Sequence, residues 1–232
     1  MPVNLYNQTR HLVAVDCIIF GYDHGELKLL LFRRGIKPAK GEWSLLGGWA
    51  NENETVEKAA ARVLLQTTGL KDIYLEQVRV FSEPLRDPGG RVISIAFNAL
   101  IDIKKHNREL VREHGAHWWG IAELPDLIFD HDQMVVKALE KLRLNASYEI
   151  IGKRLLPEYF TISQLRILYN AIFQKEFDPG NFRKKILSLN VLAKTRKKNT
   201  TDSKKGAFYY HFKLNNRKEM GKMVKIAKVV QD

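Results

Sequence analysis

Residues 47–70, GGWANENETVEKAAARVLLQTTGL, constrain what this chain can fold into more than any other stretch. A glycine pair leads through a short polar segment to Val56, Ala60, Val63 and Leu64, and Gly69 stands beyond them. Those four apolar side chains recur at helical spacing, so they form one stripe of an amphipathic helix that needs a packed surface to receive it. A packing element is the plain reading, and a helix that also walls a pocket is compatible with it.

The flanking sequence supplies that surface. His11 to Phe20 and Glu26 to Arg33 are β-branched or leucine-rich runs separated by Gly21-Tyr22-Asp23-His24-Gly25, a turn composition, and read as a hairpin. Ile73 to Ser82 and Arg91 to Ile103 form a second antiparallel pair around EPLRDPGG. Trp118 to Leu124 is a short apolar stretch, and Met134, Val135, Ala138, Leu139 and Leu142 share one face of a helix spanning Asp130 to Leu144. These elements add up to an α/β/α sandwich.

Charge divides the chain. Residues 1–147 hold 19 Lys and Arg against 19 Asp and Glu, and residues 148–232 hold 19 against 7, so the whole formal charge of +12 lies in the C-terminal part. Such asymmetry points to a segment that meets a polyanion, with nucleic acid as the first candidate. A membrane surface or a solvated basic domain would be the plain alternatives. No run of about 18 apolar residues occurs, and MPVNLYNQTRHLVAVD lacks a charged start before an apolar core, so a cytoplasmic protein with no membrane contact is expected. The single cysteine, Cys17, suits a reducing compartment and reads as a buried strand residue.

The basic part has its own order. A boundary is expected near Asn145 to Lys153, giving domains 1–147 and 148–232. Thr161 precedes a helix whose stripe is Leu165, Leu168, Tyr169 and Ile172. Asp178-Pro179 supplies an N-cap and a first-turn proline for a second helix with Phe182, Ile186 and Leu189 inward. VLAKTRKKNTTDSKKGAFYYHF then reads as two strands joined by a polar turn. Helix, helix and basic hairpin make a winged helix-turn-helix, and the expected class is α+β. The basic tail after residue 213 receives no role.

With both parts in view, the chain resembles the Nudix-related transcriptional regulators, which fuse a Nudix-like sensor to a C-terminal winged helix. Gly48, Glu54, Arg62, Leu64, Gly69 and Leu70 match the pyrophosphatase box G-x5-E-x7-R-E-U-x-E-E-x-G-U, where U is a bulky aliphatic residue. KPAKGEWSLLGGW is similar to the approach to that box, with Leu46 at a proline position, and RDPGGRVISIAF is similar to a family hairpin. The three glutamates of the R-E-U-x-E-E core are Val63, Gln66 and Thr67 here. Mg2+ is a hard cation that takes carboxylate and phosphate oxygens. Valine cannot ligate and neutral Gln or Thr oxygens carry no charge, so a metal-dependent pyrophosphatase is not expected, and Glu52, Glu54 and Glu57 leave at most a weak cation site.

The resemblance implies a homodimeric, cytoplasmic repressor that binds double-stranded operator DNA and answers to a small effector, either a pentose or an ADP-ribose-like metabolite. No cofactor, resident metal or catalytic residue is expected. An active hydrolase of ADP-ribose working through unusual acids is the rival, and an RNA-binding module is a third reading without an aromatic stacking motif to support it. For the effector the candidate residues are Asp16, Trp43, Gly47, Gly48, Glu54, Arg62, Arg86, Asp87 and Arg91. Arg forks suit diphosphate or hydroxyl recognition. Their plain alternatives are core packing for Trp43, an ion pair with Glu54 for Arg62, and a pair across the turn for Arg86 and Asp87. Asp16, inside an apolar strand, requires a buried partner. For DNA the candidates are Asn181, Arg183 and Lys184 near the start of the recognition helix, where Arg reads guanine and Asn adenine. Lys194, Arg196, Lys197, Lys198, Lys204 and Lys205 would contact phosphates from the wing.

Overall fold

The long hairpin is present. Strands β1 (Leu12–Asp23) and β2 (Glu26–Arg33) are joined by His24 and Gly25, whose φ angles of 46° and 93° are the positive values that a two-residue hairpin turn demands. The turn is shorter than expected because Gly21 to Asp23 stay in the strand: Gly21 and Asp23 are buried, which a loop residue would seldom be. The structure, a computed structural model, describes residues 9–106, 108–148, 155–200 and 206–213.

β3 (Trp43–Ser44), β4 (Leu46–Trp49), β5 (Glu76–Phe81), β6 (Val92–Asp102) and β7 (Ala116–Gly120) complete a seven-stranded sheet of order β3-β2-β1-β6-β5, with β4 on β1 and β7 on β2. β1 is buried without a break from Val15 to Gly21, the mark of a central strand covered on both faces. β5 lies at the edge, with Gln77, Arg79 and Val80 exposed. Helix α1 (Val56–Thr68) begins at Thr55, whose hydroxyl accepts from the Lys58 amide, and ends at Gly69, left-handed with φ 72°. It buries Ala59, Ala60, Val63 and Leu64. α2 (Arg108–Glu113), which the apolar periodicity does not announce, precedes β7, and α3 (His131–Tyr148) follows it.

The C-terminal elements agree with the sequence. α4 (Ile162–Phe173) carries a reciprocal capping box: Thr161 Oγ1 accepts from the Gln164 amide, and Gln164 Oε1 accepts from the Thr161 amide. α5 (Pro179–Ser188) is capped by Asp178, with proline in its first turn. Leu165, Leu168, Tyr169, Ile172, Phe182 and Ile186 are buried, and the Tyr169 and Phe182 rings meet edge-on at 5.6 Å. β8 (Leu192–Asn199) and β9 (Ala207–Phe212) pair antiparallel. Phe160 exchanges both backbone hydrogen bonds with Tyr210 and so ties the segment before α4 to the wing by an isolated bridge.

Two compact units result. One gathers Leu29–Leu100 and His106–Ala138 with the strand ending at Phe20; the other gathers Gly21–Lys28, Ile101–Lys105 and the described residues from Leu139 onward. Within the second unit, Tyr169 donates to the Ala146 carbonyl and Arg143 to that of Ile172. A β-carbon on Gly25 would come within 2.9 Å of Ile167 Cγ2, so the glycine lets the β1–β2 turn lie against α4. The expected boundary at 147/148 borders residues 149–154, which lie outside the described residues, as do Lys204, Lys205 and the tail after 213.

Candidate ligand site and nucleic-acid interface

Asp16 faces Gly47 across the β1–β4 ladder and is 5% exposed. A β-carbon on Gly47 would collide with Asp16 Oδ1, and one on Gly48 would come within 2.7 Å of Val63 Cγ2. The glycine pair thus has two causes: Gly47 leaves room for a buried carboxylate, and Gly48 lets α1 pack against β4. Asp16 finds its partner inside the protein. Its Oδ2 accepts from Ser94 Oγ at 2.5 Å, with Arg86 Nη2 at 4.0 Å, and its Oδ1 lies 3.8 Å from His131 Nε2.

Arg86 does not pair with Asp87. It turns inward, 3% exposed at the side chain, and donates from Nε and Nη2 to the two carboxylate oxygens of Asp130 at 2.9 and 2.6 Å. This bidentate geometry satisfies a buried guanidinium. Asp87 instead accepts from the Gly89 amide at 2.7 Å and shapes the turn, and Arg91 donates to the Ser82 carbonyl at 2.6 Å. The Leu45 amide donates to His131 Nδ1 at 3.1 Å. An amide can only donate, so Nδ1 is the bare nitrogen and Nε2 carries the hydrogen that faces Asp16. Burial holds this imidazole below its ordinary pKa, against the pull of Asp16 and Asp130.

Glu54 and Arg62 hold each other. Arg62 donates from Nε and Nη2 to the Glu54 carboxylate at 3.0 and 2.5 Å, and Nη2 also reaches the Trp49 carbonyl at 2.8 Å. The Asn51 amide adds a bond at 2.8 Å. Arg62 first, then this amide, hold the Glu54 carboxyl down at about 2. The residues of α1 do not fit Mg2+. Val63 is buried under Gly48, Gln66 Oε1 accepts from Arg62, and Thr67 donates to the Val63 carbonyl. The weak cation site at Glu52, Glu54 and Glu57 is not assembled either: Glu54 is committed to Arg62, and no group of three or more His, Cys, Asp or Glu side chains is poised for a metal among the described residues.

Of the expected effector residues, Trp43 lines a cavity of the first unit, a space of about 430 Å³ bounded by Arg33, Trp43, His117, Trp118 and Trp119. Strand register explains the grouping. Arg33 is the cross-strand partner of Trp43, its guanidinium 4.2 Å above the indole, and β7, which also pairs with β2, brings His117 and Trp119 edge-on to Trp43 at 5.6 and 5.2 Å. Sequence reasoning missed Arg33, His117 and both tryptophans of β7. The signal was present in the word HWWG, which reads as core until its strand is known to lie at the sheet edge.

In the second unit, Asn181, Arg183 and Lys184 are exposed on the first turns of α5. Arg183 lines a cleft of about 450 Å³ with Ser163, Arg166 and Phe208, and its Nη2 stands 3.4 Å from the Tyr210 hydroxyl. On the wing, Lys194 and Lys198 sit over Phe208 at 3.6 and 4.8 Å. The ladder skips between Lys194↔Tyr210 and Lys198↔Phe208, so Arg196 and Lys197 bulge out of it, a bend held by Thr195 Oγ1 accepting from the Lys197 amide. All four wing cations are exposed. Lys184, Arg196 and Lys197 have no acidic partner among the described residues.

Two family models match the chain. Residues 10–139 match the NUDIX domain family, and residues 152–212 match the NrtR DNA-binding winged helix domain. The chain is similar to the ADPR responsive transcriptional repressor NtrR of Acinetobacter baylyi, at 29% identity over 88% of this chain and 83% of that one. It is also similar to an ADP-ribose pyrophosphatase of Methanocaldococcus jannaschii, at 36% identity over 53% of this chain and 70% of the relative. Among solved structures, NrtR of Shewanella oneidensis complexed with a 27mer DNA superposes with a TM-score of 0.71 at 27% identity, covering 91% of this chain and 96% of that one. The chain is therefore a member of the Nudix family, one that joins its Nudix domain to a winged helix of the NrtR type.

Proposed function

We propose that this protein is a DNA-binding transcriptional repressor whose Nudix domain senses an ADP-ribose-like metabolite without hydrolysing it. One observation carries the reading: a winged helix with uncompensated surface cations follows a Nudix helix that offers no carboxylate at its metal positions. Residues 1–147 form the effector domain and 148–232 the DNA-binding domain. Asn181, Arg183 and Lys184 read the major groove, while Lys194, Arg196, Lys197 and Lys198, with Lys204 and Lys205, meet phosphates. The protein acts as a cytoplasmic homodimer, because two winged helices on one two-fold axis match a palindromic operator.

Effector control follows from linkage: a ligand that binds one arrangement of the dimer better than the other shifts the population toward it, by no more than that difference in affinity. Support for ADP-ribose comes from the similar repressor, described as ADPR responsive. A pentose has no such support. The test is to select binding sites from a random DNA pool, measure gel shifts with and without ADP-ribose, and assay AMP release from ADP-ribose with Mg2+ in parallel. Sequence-specific binding that ADP-ribose modulates, without turnover, is expected. Steady turnover without specific DNA binding would overturn the proposal in favour of a hydrolase.

A further inference from the structure

We infer that the buried cluster of Asp16, Arg86, Asp130 and His131 is the joint through which effector state reaches DNA binding, and that β1 and α3 carry it to helix α4. The inference rests on the repressor reading above and names the parts that would regulate it.

Two elements leave the cluster. Asp16 lies on β1, and His131 opens α3 directly after Asp130. β1 and α3 both begin in the first compact unit and end in the second, and α3 is one unbroken helix from His131 to Tyr148. Both arrive at α4. The β1–β2 turn meets it at Ile167, where a β-carbon on Gly25 would come within 2.9 Å of Cγ2. α3 meets it twice: Arg143 Nε donates to the Ile172 carbonyl at 3.1 Å, and the Ala146 carbonyl accepts from the Tyr169 hydroxyl at 3.2 Å. α4 in turn holds the approach to α5. The Phe177 amide donates to Asn170 Oδ1 at 3.1 Å, and the Phe177 carbonyl accepts from Arg166 Nη1 at 2.9 Å, one residue before the Asp178 cap. A shift of α4 is therefore passed to the helix that bears Asn181 and Arg183.

The cluster has the geometry of a two-way joint. Asp16 makes one short hydrogen bond, with Ser94, and stands 3.8 Å from His131 Nε2 and 4.0 Å from Arg86 Nη2. Hydrogen bonds close at about 2.7–3.2 Å, so a displacement of less than about 1 Å would engage either partner. Engaging His131 ties β1 to the first residue of α3, whereas engaging Arg86 ties it to the loop between β5 and β6. Packed interiors answer such small shifts by switching between discrete arrangements, not by stretching. The Leu45 amide, two residues before Gly47, donates to the same imidazole at 3.1 Å, so the segment that leads toward α1 bears on the joint.

The test measures coupling. Affinity for a DNA site selected from a random pool is read by fluorescence anisotropy with and without saturating ADP-ribose, and the ratio of the two is compared between the wild type, Arg143→Met, Ile167→Ala and the double variant. Ile167 is 38% exposed and Arg143 half-buried, and neither is among the DNA-contacting residues named above. DNA alone and ADP-ribose alone should therefore bind within about threefold of wild type. The ratio, which effector coupling sets at about 5- to 150-fold, should fall toward one in the double variant, and because coupling is reciprocal, calorimetric titration of ADP-ribose with and without DNA should show the same loss. A double variant that keeps the wild-type ratio would overturn the joint and leave the repressor reading intact. If the double variant does not fold, Tyr169→Phe, which removes only the hydroxyl that reaches Ala146, decides: a reduced ratio supports the joint and an unchanged one overturns it. A wild-type ratio of one would overturn effector control, and the joint with it.

Discussion

The two halves of this molecule handle charge in opposite ways. In the Nudix unit Arg86 is locked to Asp130 beside Asp16, and Arg62 to Glu54. In the winged helix, Arg196 and Lys197 bulge from the strand ladder, and Lys194 and Lys198 rest on an aromatic ring. The first arrangement uses charge to hold a fold, within a part of the chain, residues 1–147, that carries no net formal charge. The second leaves charge for a partner. Equal numbers of cations in the two parts therefore have unequal consequences, and exposure and pairing set which.

The sharpest way to break this contrast is Arg86→Met. It leaves two carboxylates in the interior without their cation, and removing one partner of a buried pair costs about 3–5 kcal/mol. Denaturant unfolding should register that loss, whereas Arg196→Gln and Lys197→Gln should stay within about 0.5 kcal/mol. If Arg86→Met proves as mild as the wing variants, the interior pairing is not what stabilises the Nudix unit.

DNA binding reverses the ranking. Replacing Lys194, Arg196, Lys197 and Lys198 by Gln should reduce the slope of log affinity against log salt by roughly 0.9 for each phosphate no longer neutralised. Arg183→Ala should cost about 1–3 kcal/mol and relax preference at one base position. Fluorescence anisotropy across a salt series reads both, and a salt slope unchanged by the fourfold replacement would remove the wing from the interface. Arg86→Met, studied where it remains folded, should leave the slope alone.

Acid sensitivity separates the buried His131 from the half-exposed pair. Burial depresses the folded pKa of His131 below the ordinary 6.5. Below that pH the unfolded chain binds a proton that the folded one refuses. Its contribution is therefore complete above about 6.5 and falls with decreasing pH, by up to about 1.4 kcal/mol per unit. His131→Gln, which keeps an acceptor for the Leu45 amide, should flatten the stability profile in that window. The smallest effect belongs to Glu54. With a folded pKa of about 2 against an ordinary 4.5, its contribution is present above 4.5 and disappears as pH falls toward 2. Carboxyl NMR titration should find Glu54 still ionised at pH 3, and a normal titration would show that Arg62 does not hold it in solution.

Much of the architecture was readable from residue order. The capping words T-x-x-Q and D-P placed α4 and α5, alternation placed β8 and β9, and the apolar stripe before Gly69 placed α1. The site was less readable. Arg86 and Asp87 are neighbours in sequence, yet one is buried against Asp130 and the other shapes an exposed turn. Trp43 and Trp119 form one wall although 76 positions separate them. α2 escaped notice because a six-residue helix shows too little periodicity to stand out.

By itself the sequence determined the family frame, the absence of carboxylates at Val63, Gln66 and Thr67, and the concentration of positive charge after residue 147. These are properties of residue identity and spacing, which survive without coordinates. The tertiary structure alone decided which charges are spent on one another. Whether Asp16 meets a ligand or Ser94, His131 and Arg86, and whether a tryptophan is core or pocket wall, depends on strand register and sheet order. Those bring together side chains from distant parts of the chain through packing that no local pattern records.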